Sequence, residues 1–268
     1  MTTPEMTDGR CEFDLRSAAG SEYRILVARS LGAPPPEGYS VLFLLDGDAY
    51  FEAAAGFLQM QSAFPQLGPG GTSQLLIVGI GYPGASPLHQ VRRTRDFLPE
   101  PKGLPQEQIR ILGAEPGGAH EFLRFITTEL RHALRERYPI REVGHTLAGH
   151  SLGGYFALHA LVNSSGFFQK YAAISPALWW ENQRLVDEVM CADVVANPEV
   201  LLAVASDELP GYPDRSAAML DAARNMRGAL EERGIGDVQY MEVDGEDHLT
   251  MPFALMPSIV RFAFGRGA

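Results

Sequence analysis

The chain has 268 residues, of which 46% are hydrophobic and 21% charged, a balance typical of a globular protein and not of a disordered or fibrous one. Its net charge of −11, from 22 basic and 33 acidic residues, argues against a nucleic-acid-binding protein or one that binds anionic membranes, since both need a basic face. Two cysteines are too few for a disulfide framework or a cysteine zinc site, and no apolar run is long enough to span a membrane.

The first residues contain no basic segment followed by an apolar run, which a secretory leader would have. We therefore expect a cytoplasmic protein, or a periplasmic one if a leader has been removed. No repeat or change in composition divides the sequence, so we expect a single domain over residues 1–268.

The predicted strands are spread along the whole chain. Residues 11–16 and 23–31 are rich in strand-forming side chains and are separated by a short turn, which predicts an antiparallel pair. Unbroken apolar runs at 41–45 and 75–80 are typical of parallel strands that are buried on both faces. Shorter runs predict four further strands, at residues 145–148, 171–174, 200–205 and 238–243.

Helical spacing of apolar residues appears between these strands. It predicts helices over residues 120–138, 216–233 and 252–264, and another that begins near residue 155. Alternating strands and helices indicate a doubly wound α/β fold: a mostly parallel, eight-stranded sheet with helices on both faces. Ligands of such sheets bind beyond the carboxyl ends of the strands.

One of those strand ends carries the sequence Gly149-His150-Ser151-Leu152-Gly153. A buried strand precedes this G-x-S-x-G pattern and a helix follows it, the context of a nucleophile elbow, in which a sharp turn exposes the serine hydroxyl. Glycines on either side allow the strand and the helix to approach closely. We therefore predict that Ser151 is a nucleophile.

A serine hydroxyl needs a general base, and His248 has the position that the mechanism requires. It follows the last predicted strand, and the chain order of α/β-hydrolases is nucleophile, acid, histidine. Other histidines fall in predicted helices or strands, at a helix start or in the elbow, namely His120, His132, His145, His150 and His159. His89 lies in a loop and stays open as an alternative base.

The acid that orients the histidine is expected after the strand at 200–205, where two carboxylates are adjacent. We predict Glu208 for this role, with Asp207 as the alternative. Glu246 and Asp247 adjoin the histidine too closely in sequence and are read as solvated loop charges.

Two backbone N–H groups are expected to stabilise the oxyanion. One belongs to Leu152, directly after the nucleophile, and the other to Asp48, in the loop after the third strand. The alternative for the second segment is an ordinary Asp-Gly turn with a helix cap, without a role in catalysis.

Several longer segments resemble the esterase-D-like esterases, an α/β-hydrolase family, and within it the enterochelin (siderophore) esterases. They are LLDGDAYF at 44–51, GIGYP at 79–83, RTRDFLP at 93–99, AGHSLGGYFALHAL at 148–161, ISPALWW at 174–180 and GEDH at 245–248. The arginine-rich and tryptophan-containing segments are the most specific of these. Asp48 departs from the family pattern, in which we expect Asn, and the N-terminal domain of the large enterochelin esterases is lacking.

This resemblance implies a serine esterase that opens the trilactone of a catecholate siderophore, in its iron-free or ferric form. It carries over Ser151 and His248 as nucleophile and base, Asp48 and Leu152 as oxyanion amides and Glu208 as acid, although some relatives manage with a Ser-His pair. Arginines and aromatic rings suit catecholate oxygens and rings. The residues expected to bind substrate are Arg93, Arg95, Tyr82, Trp179 and Trp180.

Other functions remain open at this stage. They are a general carboxylesterase or thioesterase, an acyltransferase that uses the same acyl-enzyme, and a non-catalytic α/β-hydrolase. No metal-ligand cluster and no dinucleotide-binding glycine pattern is present in the sequence, so we expect no cofactor. The sequence does not indicate an oligomeric state.

Overall fold

A computed structural model of the chain describes residues 9–64, 66, 74–84, 86–103, 109, 113–164, 166–192 and 197–264. Within these ranges eight strands form one sheet, in the order β1-β2-β4-β3-β5-β6-β7-β8. The strands are β1 (Arg10–Arg16), β2 (Glu22–Arg29), β3 (Ser40–Leu45), β4 (Leu75–Gly81), β5 (His145–His150), β6 (Phe168–Ile174), β7 (Glu199–Ala205) and β8 (Val238–Val243). Strand β2 pairs antiparallel with both of its neighbours, and the strands from β4 to β8 pair in parallel.

Helices connect the parallel strands. They are α1 (Gly47–Ala63), α2 (Gln90–Phe97), α3 (Ala119–Arg124, continued by a π-helical segment Phe125–Leu130 and by Arg131–Arg135), α4 (Leu152–Asn163), α5 (Arg184–Cys191), α6 (Pro213–Glu232), α7 (Met251–Ala254) and α8 (Met256–Phe264). Within the described ranges every helix is too short or too polar to serve as a membrane-spanning segment.

Alternating side chains of the interior strand β3 belong to two hydrophobic cores, one on each face of the sheet. Val41, Phe43 and Leu45 point to the layer that holds α3, α4, α5 and α6, whereas Leu42 and Leu44 point to the layer of α1, α7 and α8. Successive residues of a strand face opposite sides of a sheet, so an unbroken apolar run is what a strand covered on both faces requires. The predicted fold class is confirmed: a mostly parallel eight-stranded sheet with helices on both faces.

Two segments differ from their predictions. Residues 91–95 lie outside the helices predicted from sequence but belong to α2, whose inner face buries Arg93, Thr94 and Asp96 beside Phe97 and therefore lacks the apolar periodicity that predicts a helix. The helix predicted over 252–264 is divided at Leu255 into α7 and α8. Pro257 has no N–H to continue a helix and is well placed in the first turn of a new one.

Candidate active site

Ser151 lies at a strained turn between β5 and α4. Its φ of 58° and ψ of −117° are rare for a non-glycine residue, and its N–H donates to the Ile174 carbonyl over 3.0 Å. A Cβ on Gly149 would collide with the Gly153 carbonyl, so this close approach of strand and helix requires glycine. The turn holds the serine at the carboxyl end of its strand.

His248 follows β8 and brings its ring to the serine. Its Nε2 is 3.0 Å from Ser151 Oγ, and its Nδ1 is 2.6 Å from Glu208 Oε2. In the neutral imidazole, Nδ1–H donates to the carboxylate while Nε2 accepts from the hydroxyl. The three side chains thus form a continuous hydrogen-bonded chain, although they lie on three separate loops.

The Glu208 carboxylate is fixed from several directions and is 1% exposed. Its Oε1 accepts hydrogen bonds from the Ala205 N–H over 2.8 Å and from the Ser175 hydroxyl over 2.6 Å, while its backbone carbonyl accepts from the His248 N–H. Ser175 follows β6 with a positive φ of 44°. The hydrogen bond from Ser175 to Glu208 was not identified from the sequence. The signal that could have indicated it is the position of Ser175 at the carboxyl end of β6, the neighbour of β7.

Asp207, the alternative acid, faces another part of the molecule. Its Oδ1 accepts from the Ser216 hydroxyl over 2.9 Å, and Ser216 Oγ in turn accepts from the Leu209 N–H over 2.7 Å. These contacts hold Asp207 against the start of α6. Of the two adjacent carboxylates, the structure places Glu208 against His248.

This difference gives a test of the acid. Glu208→Gln should lower kcat by about 10²- to 10⁴-fold, because an amide does not hold the imidazolium that forms during catalysis, whereas Asp207→Asn should change it little. The measurement is kcat for p-nitrophenyl acetate in the two variants, with thermal unfolding as the control for folding. A larger loss in Asp207→Asn would assign the role to that residue, and nearly full rates in both would leave a Ser-His pair.

His150, which fills an unspecified position of the elbow, lies beside His248. Its ring packs against the His248 ring with centroids 4.6 Å apart, and its Nδ1 is 3.0 Å from the Tyr50 hydroxyl. Burial, and then the neighbouring His248, lower the pKa of His150 well below its ordinary value. His150 is therefore neutral and packs beside the His248 ring. His89, the alternative base, lies instead beside Tyr82, with ring centroids 5.8 Å apart.

Two other histidines are buried away from these contacts, and they should make stability depend on pH. Burial lowers the pKa of His145 to about 4 and that of His159 to about 3, whereas an unfolded histidine titrates near 6.5. As the pH falls from about 6.5 to 4, the unfolded chain binds protons that the folded chain does not, so the free energy of unfolding must fall. In His145→Gln, urea unfolding at pH 7.5 and 5 should show a smaller fall than in the wild type. Equal falls would contradict this role of His145.

The two predicted oxyanion amides lie at helix N-termini that point to this edge of the sheet. Leu152 is the first residue of α4 and Asp48 the second of α1, and first-turn N–H groups have no acceptor within their own helix. The Asp48 carboxylate accepts from the Tyr82 N–H over 2.7 Å and pairs with Arg24 over 3.1 Å. This side chain is therefore held by β2 and the end of β4.

Three of the five residues expected to contact substrate are buried, which does not agree with that prediction. Arg93 is 4% exposed and pairs with Asp46, Tyr82 is 2% exposed with its hydroxyl on Asp96, and Trp180 is 1% exposed within the core. Buried side chains of this kind support the site instead of forming its surface. Arg95 is partly exposed, but Asp96 compensates its charge. Trp179 is half exposed.

Among the described residues, no group of three or more His, Cys, Asp and Glu side chains is placed to hold a metal ion. The chemistry available at the site is that of the serine, the imidazole, the carboxylate and the two helix N-termini. This arrangement suits acyl transfer through a covalent intermediate.

Comparison with known proteins gives consistent relatives. Residues 17–250 match the model of the family described as "Putative esterase". The chain is 32% identical to the ferri-bacillibactin esterase BesA of Bacillus subtilis over 249 residues, which cover 90% of this chain and 84% of BesA. It is 29% identical to the siderophore enterobactin esterase of Emericella nidulans over 214 residues, 74% of this chain and 67% of that one. The crystal structure of the BES protein from Bacillus cereus superposes with a TM-score of 0.82 at 27% identity and covers 98% of this chain and 97% of that chain.

Proposed function

The chain belongs to the "Putative esterase" family, and we propose that it is a serine hydrolase that cleaves the ester bonds of siderophores, most readily those of a catecholate trilactone. The observation that carries the enzymatic part is the hydrogen-bonded chain from Ser151 through His248 to the buried Glu208. The substrate class is supported by the ferri-bacillibactin and enterobactin esterases to which the chain is similar.

In the proposed mechanism, Ser151 Oγ attacks the ester carbonyl carbon as His248 Nε2 takes the hydroxyl proton. The carbonyl oxygen becomes an oxyanion, which the N–H groups of Asp48 and Leu152 stabilise. His248 then gives its proton to the leaving alkoxide, and an acyl-serine remains. Water attacks this acyl-enzyme with the same histidine as base, and the free acid and Ser151 are released.

Glu208 keeps its negative charge throughout this cycle. Its Oε2 holds the His248 ring with Nδ1–H directed at the carboxylate, and it stabilises the imidazolium after proton transfer. The donors from Ser175 and Ala205 fix its other oxygen, so the ring orientation does not depend on a mobile side chain.

Substrate recognition in this proposal relies on the Trp179 ring and not on Arg93 or Arg95. Trp179 is half exposed on the loop after β6, where it offers a ring face to an aromatic group such as a catechol. Arg93 and Arg95 are paired with carboxylates, so neither offers a free guanidinium to an anionic ferric complex.

The test is a panel of esters assayed with the purified protein: p-nitrophenyl acetate, an acyl thioester, and a catecholate trilactone with and without iron. We expect the trilactone to have the highest kcat/KM and to give a linear ester and then smaller fragments, identified by mass spectrometry. Cleavage of p-nitrophenyl acetate without cleavage of either trilactone would leave a general esterase. Transfer of the acyl group to an added alcohol in preference to water would indicate an acyltransferase.

A further inference from the structure

Arg93 is a buried guanidinium on α2 with fixed contacts. Its Nε and Nη2 each donate over 2.9 Å to the two oxygens of Asp46, and its Nη2 also lies 3.4 Å from the His150 carbonyl oxygen. The guanidinium packs over the Phe97 ring at 5.4 Å, and Phe97 in turn contacts Phe156 of α4, with ring centroids 5.7 Å apart. The guanidinium is thus fixed by packing against Phe97 and by hydrogen bonds to the Asp46 carboxylate.

The two acceptors of Arg93 belong to two segments that must stay in register. Asp46 immediately precedes α1, whose second residue supplies the Asp48 amide, and His150 immediately precedes Ser151 and the Leu152 amide. The Asp46 carboxylate also lies against the start of α4, since a Cβ placed on Gly153 would be 3.4 Å from its Oδ2. One ion pair therefore connects the segments that supply the two halves of the proposed oxyanion hole.

Asp46 itself needs to be held. It has a positive φ of 51° and, through its carbonyl, accepts the N–H groups of Ala49 and Tyr50 at the start of α1. Left-handed backbone is costly for a non-glycine residue and persists where the surroundings enforce it. The bidentate contact with Arg93 fixes the side chain of this residue, and with it the direction in which α1 starts.

We propose that Arg93 is a positioning residue that sets the distance between the two oxyanion-hole amides, and this rests on the proposed function. In this proposal Arg93 does not contact substrate. It acts through its contacts with the Asp46 carboxylate and the His150 carbonyl. Oxyanion donors are effective only when they point to the place where the negative charge develops. A small displacement of one segment therefore reduces stabilisation of the transition state more than it reduces substrate affinity.

The test compares Arg93→Lys with the wild type. Lysine keeps the charge but has no planar fork, so it cannot bond both Asp46 oxygens and the His150 carbonyl in the same geometry. For p-nitrophenyl acetate we expect kcat to fall by about 10- to 100-fold and KM to change little, because only the transition-state contact is loosened. Affinity for phenylboronic acid, which forms a tetrahedral serine adduct, should fall in parallel with kcat.

Arg184→Lys is the matched control. Arg184 is also a largely buried arginine that pairs with carboxylates, Glu181 and Glu188, and donates to the carbonyl of Glu100. It belongs to α5 and has no contact with the elbow. Loss of the Arg184 guanidinium should lower the melting temperature of the protein but leave kcat and boronate affinity unchanged.

A second variant separates positioning from folding. Asp46→Asn combined with Arg93→Met removes both charges, which avoids the lone buried charge that makes single replacements of such pairs destabilising. We expect this protein to fold and to lose kcat as Arg93→Lys does. Wild-type kcat in either folded variant, a loss shared by Arg184→Lys, or failure of both variants to fold would overturn the proposal. A wild type that cleaves no ester would instead refute the proposed function.

Discussion

Ser151→Ala is expected to lower kcat/KM for ester hydrolysis on the order of 10⁴-fold or more, as removal of a catalytic nucleophile does. The physical reason is that the substitution removes the hydroxyl that lies 3.0 Å from His248 Nε2. The fold should survive, since alanine leaves the turn, its glycines and the Ile174 hydrogen bond in place. The measurement is steady-state hydrolysis of p-nitrophenyl acetate and of a catecholate trilactone.

Ser62→Ala provides the matched control for this loss. Ser62 lies in α1 and donates to the carbonyl of Leu58, so its replacement removes a hydroxyl of the same type from a place outside the site. We expect full activity in this control and similar circular dichroism for both variants. Activity of Ser151→Ala within about tenfold of the wild type would refute the nucleophile, because residual binding effects alone do not sustain such a rate.

His248→Ala is expected to cost about as much as Ser151→Ala, and the double variant should be scarcely worse than either single one. Residues that act in one proton-transfer step lose their contribution together, so their effects on the activation free energy do not add. The measurement is a double-mutant cycle on kcat/KM with a single ester. Additive losses would mean that His248 acts independently of the serine and is not its base.

The sheet could be predicted from sequence because its strands are covered on both faces. An interior strand such as β3 is buried on both faces, and this favours the unbroken apolar run at 41–45. Helix α2 left no such signal. Its inner face buries an ion-paired arginine and polar neighbours in place of apolar residues, so the periodicity that predicts a helix is absent.

The serine, the histidine and the carboxylate could be predicted because chain topology restricts where each can lie. Each follows a parallel strand, and parallel strands deliver their loops to one edge of the sheet. The choice between Asp207 and Glu208 required coordinates, since adjacent side chains leave a loop in different directions and only the structure shows which one meets His248.

Arg93, Tyr82 and Trp180 were expected at the substrate surface but are buried, and the sequence could not show this. A family motif with two arginines suggests a charged surface, but sequence alone does not show whether a guanidinium meets solvent or a buried carboxylate. Arg93 has a partner in Asp46, 47 residues earlier in the chain, and that contact depends on the packing of α2 against the elbow. Its conversion from an expected substrate contact to a proposed positioning residue follows from this one ion pair.

The most direct test of the central claim is labelling of the active protein with a fluorophosphonate, followed by intact-mass measurement and peptide mapping. The claim that Ser151 is a nucleophile activated by His248 predicts one equivalent of label per chain, located on Ser151. It also predicts no label at this position in Ser151→Ala and much slower labelling in His248→Ala. A folded wild-type protein that takes up no label, or takes it up on another residue at the same rate in both variants, would contradict the account.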